Sequence, residues 1–332
     1  MGTITNDGNN NITNNIIGID ISKSWFDVDL NGGVKRFAND KQGINKCVKE
    51  LSAGSCCFME STSTYGYKLA AALQGMGHTV YIVNPLSVKN FARMKLMKVK
   101  SDKIDAKLLT EYGKVNIKDI KPYEFASEDI QSSKQSEAVI EQLIKQKTAL
   151  QNQEEAIKQW PKPDKGVLRS LERVINQLEQ EIKKLKAKIE EHITREDPEM
   201  LKEITSVKGV GKRTACYLIA HTNGFKGFGS AKKVSSYFGC TPGIIESGSS
   251  VKQRGRLNKI GFAGARKLLY VCALSAIRCN IACKSLYNRL IAKGKPVKSA
   301  LMAVANKLIH QIYAVITKRE LFDNNYIEKF GH

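Results

Sequence analysis

The chain has 332 residues, 42% of them hydrophobic, and a formal net charge of +21. That length accommodates two domains and a connector. No apolar run approaches the roughly 20 residues of a membrane span, and no basic stretch followed by an apolar one opens the chain, so the expectation is a protein with no membrane partner and no secretory leader. The eight cysteines form no CxxC pair and no zinc-type spacing with the five histidines, which points to a reduced, cytoplasmic protein. Cys56 and Cys57 should turn to opposite faces of a strand, and Cys279 and Cys283 should share a helix face as buried thiols.

Residues 1–15 are Asn-rich and poor in large apolar side chains, as expected of a disordered tail. From 16 to about 125, strand and helix signals alternate. Strands are expected at Ile16–Ser22, Trp25–Leu30 and Val34–Ala38, the last two joined by a turn through Asn31-Gly32-Gly33. A helix follows from Lys41 to about Leu51, then a strand at Cys56–Met59, a helix at Tyr67–Met76 stopped by Gly77, and a strand at His78–Val83 ended by Asn84-Pro85. Helices at Lys89–Lys98 and Ser101–Lys114 complete the segment. Three strands joined by hairpins, then alternation of strand and helix, describe an α/β layer with a mixed sheet.

Four acids stand out in this layer. Asp20 closes the run Ile16-Ile17-Gly18-Ile19, and Glu60 closes Cys56-Cys57-Phe58-Met59. Both fall at the carboxyl edge of neighbouring strands, where such sheets place their sites. Asp102 and Asp105 stand three apart, so a helix presents them on one face. Read alone, those two could simply favour a helix start after Ser101. Gathered carboxylates repel one another unless a cation sits among them. Hard oxygen ligands suit Mg²⁺ or Mn²⁺, and two such ions clamp both oxygens of a phosphodiester displacement. Asp27 and Asp29, alternating along a strand, are expected to face solvent.

Between about 128 and 195 the chain is helical. Leu168, Leu171, Ile175, Leu178, Ile182, Leu185 and Ile189 follow a strict 3-4 spacing, a coiled-coil seam. Ile140, Leu143, Leu150 and Ile157 give a weaker seam that ends at Trp160-Pro161-Lys162-Pro163, where two prolines break the helix. So narrow a stripe needs a partner, from its own hairpin or from a second chain, and a dimer is expected.

The third segment, about 198–320, is expected to be helical with Gly-rich breaks. Across 201–320, 22 Lys and Arg stand against three acids, Glu203, Glu246 and Glu320. Nearly the whole charge surplus lies here, as a phosphate-backbone partner requires. Ile204 to Ala215 has the pattern of a helix-hairpin-helix, in which Gly209 and Gly211 allow the turn. The next helix then offers its first amides, with Lys208, Lys212 and Arg213, to a phosphate. Further on, Ser247-Gly248-Ser249-Ser250 is followed by a basic run containing Lys252, Arg254, Arg256 and Lys259. A serine beside several cations has the chemistry to attack a phosphate whose charge the cations stabilise; the other reading is a flexible loop that contacts backbone phosphates.

Together, Gly18-Ile19-Asp20-Ile21-Ser22, Met59-Glu60-Ser61-Thr62, Asn84-Pro85 and Lys100-Ser101-Asp102-Lys103-Ile104-Asp105-Ala106 resemble the DEDD transposases of bacterial insertion sequences. The Gly209-x-Gly211 hairpin, Gly239-x-x-Pro242, Ser247-Gly248 and Lys259-x-Gly261 extend the likeness over about 16–315. The resemblance implies a RuvC-like, RNase H-fold first domain, a coiled coil and a helical C-terminal transposase domain. It implies that Asp20, Glu60, Asp102 and Asp105 hold divalent metal and that Ser247 forms a covalent link to DNA, with Ser249 and Ser250 as neighbouring alternatives. It further implies a structured, element-encoded guide RNA that pairs with donor and target DNA. The working form would be a dimer or tetramer at the bacterial nucleoid, with the carboxylates of one protomer meeting the serine loop of another. Where relatives carry Lys-x-Gly-Asn, this chain has Lys259-Ile260-Gly261-Phe262. Two other readings compete: a hydrolytic RuvC-like nuclease and a non-catalytic nucleic-acid scaffold. A sugar-kinase-like ATPase would want glycine and threonine after Asp20, where this chain has Ile21-Ser22-Lys23.

Overall fold

The computed structural model describes residues 15–30, 33–61, 64–96, 102–243, 246–247, 251–252, 256–257 and 261–325. Of these, 102–103, 242–243, 246–247, 251–252 and 256–257 are described by their backbone alone. The chain divides into two units, Met1–Phe125 and Ala126–His332. The expected tail lies outside the described residues except for Asn15, whose carbonyl accepts from Cys56 N–H.

The first unit is a mixed five-stranded sheet in the order β3-β2-β1-β4-β5. The strands are β1 (Ile16–Ile21), β2 (Trp25–Leu30), β3 (Gly33–Ala38), β4 (Cys56–Glu60) and β5 (Thr79–Val83). β1, β2 and β3 form an antiparallel meander, while β4 and β5 run parallel to β1. The helices of this unit are α1 (Lys41–Glu50), α2 (Tyr67–Gly75), α3 (Pro85–Met94) and α4 (Asp102–Asn116).

Because side chains alternate along a strand, each face of the sheet gets its own core. Ile17, Ile19, Phe26, Val28, Cys57, Met59 and Val80 pack with α1 and α2. Ile16, Phe58, Tyr81 and Val83 pack with α3 and α4 on the other side. Cys57 and Cys56 divide between these two cores, as their adjacency required. α3 starts at Pro85, four residues before the expected Lys89: Asn84 caps it, accepting from Leu86 N–H, and Pro85 takes the first helical position. The expected end at Lys98 and the expected cap Ser101 lie outside the described residues.

The second unit opens with a helical hairpin, α5 (Glu128–Lys158) and α6 (Lys165–Glu196). The break comes at Gln159–Asp164, and Asp164 caps α6 by accepting from Gly166 and Val167 N–H. The two helices pack on each other. Ile175, Ile182 and Ile189 of the seam are buried, while Leu168, Leu171, Leu178 and Leu185 are half-buried. The Ser127–Glu196 hydrogen bond at 2.7 Å and the Lys147–Glu179 ion pair at 3.1 Å cross-link the hairpin. The seam thus has a partner within its own chain.

The rest of the unit comprises α7 (Pro198–Ser206), α8 (Lys212–Thr222), α9 (Ala231–Tyr237), α10 (Ala263–Cys279), α11 (Ile281–Ala292) and α12 (Val297–Lys318). α12 is long and apolar enough to cross a membrane, but Leu301, Val304, Ala305, Leu308 and Ile312 bury it in the core of this unit. The expectation that Cys279 and Cys283 share a helix face is corrected. Cys279 ends α10 and Cys283 belongs to α11, with a 98° bend between the helices. Asn280 makes the break by capping α11 with its side chain, which accepts from Cys283 N–H. All eight cysteines are free.

Candidate active site and nucleic-acid interface

The backbone places the sequence-selected acids at one edge of the sheet, two on strands and two on α4. β1 and β4 are neighbouring parallel strands with Ile19 opposite Met59, so Asp20 and Glu60 follow side by side at the carboxyl edge. Ile19 and Met59 point into the α1/α2 core; Asp20 and Glu60, one residue on, project from the opposite face, which α4 covers.

Gly18 determines how α4 lies there. A Cβ at this position would stand 2.0 Å from the Ala106 carbonyl oxygen and 2.5 Å from Thr110 N. Only glycine admits so close an approach, and Gly18 N–H also donates to Thr110 Oγ1 at 2.8 Å. Further along the helix, Gly113 packs against Ile16 and Phe58. α4 therefore runs antiparallel to β1, and its first turns, with Asp102 and Asp105, lie at the edge that carries Asp20 and Glu60. Asp20, Glu60 and Asp105 are half-buried. The side chain of Asp102 lies outside the described residues. Among the described residues no three His, Cys, Asp or Glu side chains stand close enough to hold a metal ion. The donors gathered at this edge are carboxylates, the oxygen set that suits a hard divalent cation.

Asp27 overturns the expectation of a solvent-facing acid. It is 1% exposed and lies directly opposite Asp20 in the β1–β2 ladder. Its carboxylate accepts from Arg36 Nε at 2.9 Å and Nη2 at 2.7 Å. β2 is an interior strand, and α4 packs on it as well as on β1, so both its faces are covered. With Gly33 opposite Leu30 rather than in the turn as expected, the β2–β3 register pairs Asp27 with Arg36, an opposite-charge cross-strand pair. Asp29 is half-buried.

In the second unit, α7 and α8 flank a turn from Val207 to Gly211, where the sequence pattern placed a helix-hairpin-helix. Gly209 has φ +98°, and a Cβ there would stand 2.7 Å from Ala276 of α10, so both conformation and packing demand glycine. Gly211 caps α8 with no side-chain hydrogen bond. Lys208 is exposed. Lys212 pairs with Glu190 at 2.8 Å, and Arg213 is committed through two nitrogens to Glu137 of α5.

The serine segment, expected as a loop among helices, contains short β pairings. Pro242–Gly243 (β6) pairs with Arg256–Leu257 (β9), and Glu246–Ser247 (β7) pairs with Val251–Lys252 (β8). These are two separate two-stranded ladders, one lying within the other along the chain, with Ser247 opposite Val251 on the inner one. Ser249, Ser250, Arg254 and Lys259 lie outside the described residues. The stem is pinned where the chain leaves it: Gly261, at φ +111°, packs its backbone on Tyr237, Phe238 and Gly239. Phe262, at the position where an asparagine was expected, joins an aromatic group with His221, Tyr237 and Phe238. Burial, with the charges of Lys134 and Arg213, pushes His221 down to about 4.

Comparison with known proteins bears on both units. A family model for DEDD transposases of the IS110 group matches residues 17–159, and a second, for transposases of the IS116/IS110/IS902 family, matches 201–288. Together they span more than half of the chain. The chain belongs to the IS110 transposase family. Within this IS110-family chain, the first match holds the sheet from Ile17 on, with α1–α4 and all of α5, and the second runs from Leu201 in α7 to Asn288 in α11. The chain is 29% identical over 331 residues to the pilin gene-inverting proteins of Moraxella bovis and Moraxella lacunata. Each alignment covers 94% of this chain and 98% of the relative. An uncharacterized 43.6 kDa protein of insertion element IS110 from Streptomyces coelicolor is 26% identical over 121 residues, 36% of this chain and 30% of that protein.

Proposed function

We propose that the chain is a DNA recombinase of an insertion sequence, working by divalent-metal-assisted transesterification with Ser247 as nucleophile and guided by an element-encoded RNA. The observation that carries this reading is the arrangement at the sheet edge. Strand order β3-β2-β1-β4-β5, with three antiparallel strands followed by two parallel ones, supports the RNase H-like, RuvC-like assignment. In that fold Asp20, Glu60 and Asp105, with Asp102, would hold Mg²⁺ or Mn²⁺. Bound there, the ion would polarise the scissile phosphate and stabilise the charge that develops on it.

The protein's own groups do the rest. Ser247 Oγ attacks phosphorus and gives up its proton, the P–O bond to one DNA strand breaks, and the oxygen of that strand takes up a proton and departs as a hydroxyl, so the phosphodiester becomes a phosphoserine ester. A hydroxyl of the incoming strand then attacks that ester, restoring a DNA phosphodiester and returning the serine. Lys208, Lys212, Lys252, Arg254, Arg256 and Lys259, with the first amides of α8 beyond Gly209 and Gly211, hold backbone phosphates. Arg213 braces α8 through Glu137. Rejoining rather than hydrolysis is favoured by the relatives named for inverting a pilin gene, since an inverted segment must be resealed. The partners in this reading are donor and target DNA, the guide RNA and further copies of the chain.

Ser247→Ala is the test. With purified full-length chain, candidate guide RNA and labelled DNA, it should abolish both the covalent protein–DNA adduct and strand exchange, and Asp20→Asn should abolish all cleavage. An adduct that persists in Ser247→Ala rules out this nucleophile. Cleavage without any adduct in the unaltered protein makes the chain a hydrolytic nuclease instead.

A further inference from the structure

Asp20, Asp27 and Arg36 form one row across β1, β2 and β3, each directly opposite the next. Directly opposed residues of an antiparallel pair share a face, with Cβ atoms about 4.5–5.5 Å apart. Two carboxylates are therefore placed side by side, and the inner one is 1% exposed. Arg36 meets it with two hydrogen bonds. The guanidinium also lies over the ring of Trp25, 4.8 Å from its centroid, which holds it in this orientation. Stability alone does not explain the arrangement, because well-packed apolar side chains generally replace a buried ion pair at no loss. What the pair supplies is charge balance: it adds no net charge beside Asp20.

We infer that Asp27 and Arg36 are positioning residues that set the affinity of the sheet edge for a divalent cation, an inference that rests on the reading of Asp20, Glu60, Asp102 and Asp105 as metal-holding residues. The carboxylate of Asp27 offsets the positive charge of Arg36 in the row that includes Asp20. Arg36 in turn keeps Asp27 from competing with Asp20 for the ion. Pair members act on the metal through Asp20, as outer partners of ligating carboxylates do elsewhere.

The test is titration of the full-length chain with Mn²⁺ in the absence of DNA, following free Mn²⁺ by electron paramagnetic resonance. Asp27→Asn removes one negative charge from the row beside Asp20 and should weaken binding by about tenfold. Asp27→Asn combined with Arg36→Gln removes both charges and should return affinity to near the original value. Arg36→Lys keeps the charge and should bind as the unaltered chain does. Equal affinity in Asp27→Asn and the unaltered chain overturns the inference, and so does a double variant no better than Asp27→Asn. Thermal unfolding of each variant shows whether the fold persists; if the double variant does not fold, Asp27→Asn and Arg36→Lys decide. Should the unaltered chain show no Mn²⁺ binding that Asp20→Asn removes, the metal reading itself falls and takes this inference with it.

Discussion

Gly18→Ala tests the contact that places α4. The added methyl would stand 2.0 Å from the Ala106 carbonyl oxygen, 2.5 Å from Thr110 N and 2.8 Å from Leu109 Cβ, where ordinary contact begins at 3.4 Å. Two of these three neighbours are backbone atoms, so no side chain can swing away and the helix must retreat by more than an ångström. Overpacking of this kind costs about 1–3 kcal/mol. The same retreat breaks the buried Gly18–Thr110 hydrogen bond, worth about 1 kcal/mol more. A total of about 2–4 kcal/mol is a large part of the roughly 5–15 kcal/mol that keeps a domain folded. Any variant that folds carries Asp102 and Asp105 about 1 Å out of place, and a shift of that size costs on the order of 10²-fold in rate. The chain has two tryptophans, Trp25 in the first unit and Trp160 in the second. Fluorescence-monitored urea unfolding in a Trp160→Phe background therefore reports the first unit alone. Gly75→Ala is the control: nothing lies within 4 Å of its added carbon, and in a helix it should stabilise by about 0.5–1 kcal/mol. A Gly18→Ala protein with an unchanged urea midpoint and full strand-exchange activity refutes the packing argument.

Two further predictions concern the second unit. Arg213→Ala strands Glu137, 1% exposed, and should cost about 3 kcal/mol in urea unfolding, while Arg213→Met with Glu137→Leu recovers most of that loss. His221 is held down to about 4, from a usual 6.5, by burial first and then by Lys134 and Arg213. The unfolded chain therefore takes up the proton before the native one does, so stability present above about pH 6.5 drains away as pH falls toward 4, by up to about 3 kcal/mol. His221→Phe, which suits the stack on Tyr217 and Phe262, should flatten the curve of unfolding free energy over that window.

Local patterning in the first unit was legible because it answers to local physics. Strand signals located β1 to β5, and Asn31-Gly32-Gly33 marked the hairpin. The acids at the ends of β1 and β4 were visible because an apolar run stops at each. Asp27 was misread because its burial depends on α4, a helix more than seventy residues away along the chain, which no local pattern reveals. The Asn84-Pro85 pair was taken as the end of a strand when it is also the cap and first residue of α3. In the second unit, heptad spacing disclosed the α6 seam, but spacing is the same whether the partner is α5 or another chain. The ladders that hold and surround Ser247 escaped because each is only two residues long, too short to show alternation. Arg213 looked like a phosphate contact because its carboxylate partner, Glu137, lies 76 residues earlier.

The bond from Gly18 to Thr110 joins positions 92 residues apart, and that span bears on when the edge acids can meet. The meander of β1, β2 and β3 closes through short turns soon after it is synthesised, whereas α4 docks only once β4 and β5 have joined the sheet, the slow, non-local kind of step in folding. A chain halted anywhere before α4 presents Asp20 and Glu60 without Asp102 or Asp105. On the proposed reading, an unfinished copy lacks two of the four acids, so strand cleavage waits for the first unit to be complete.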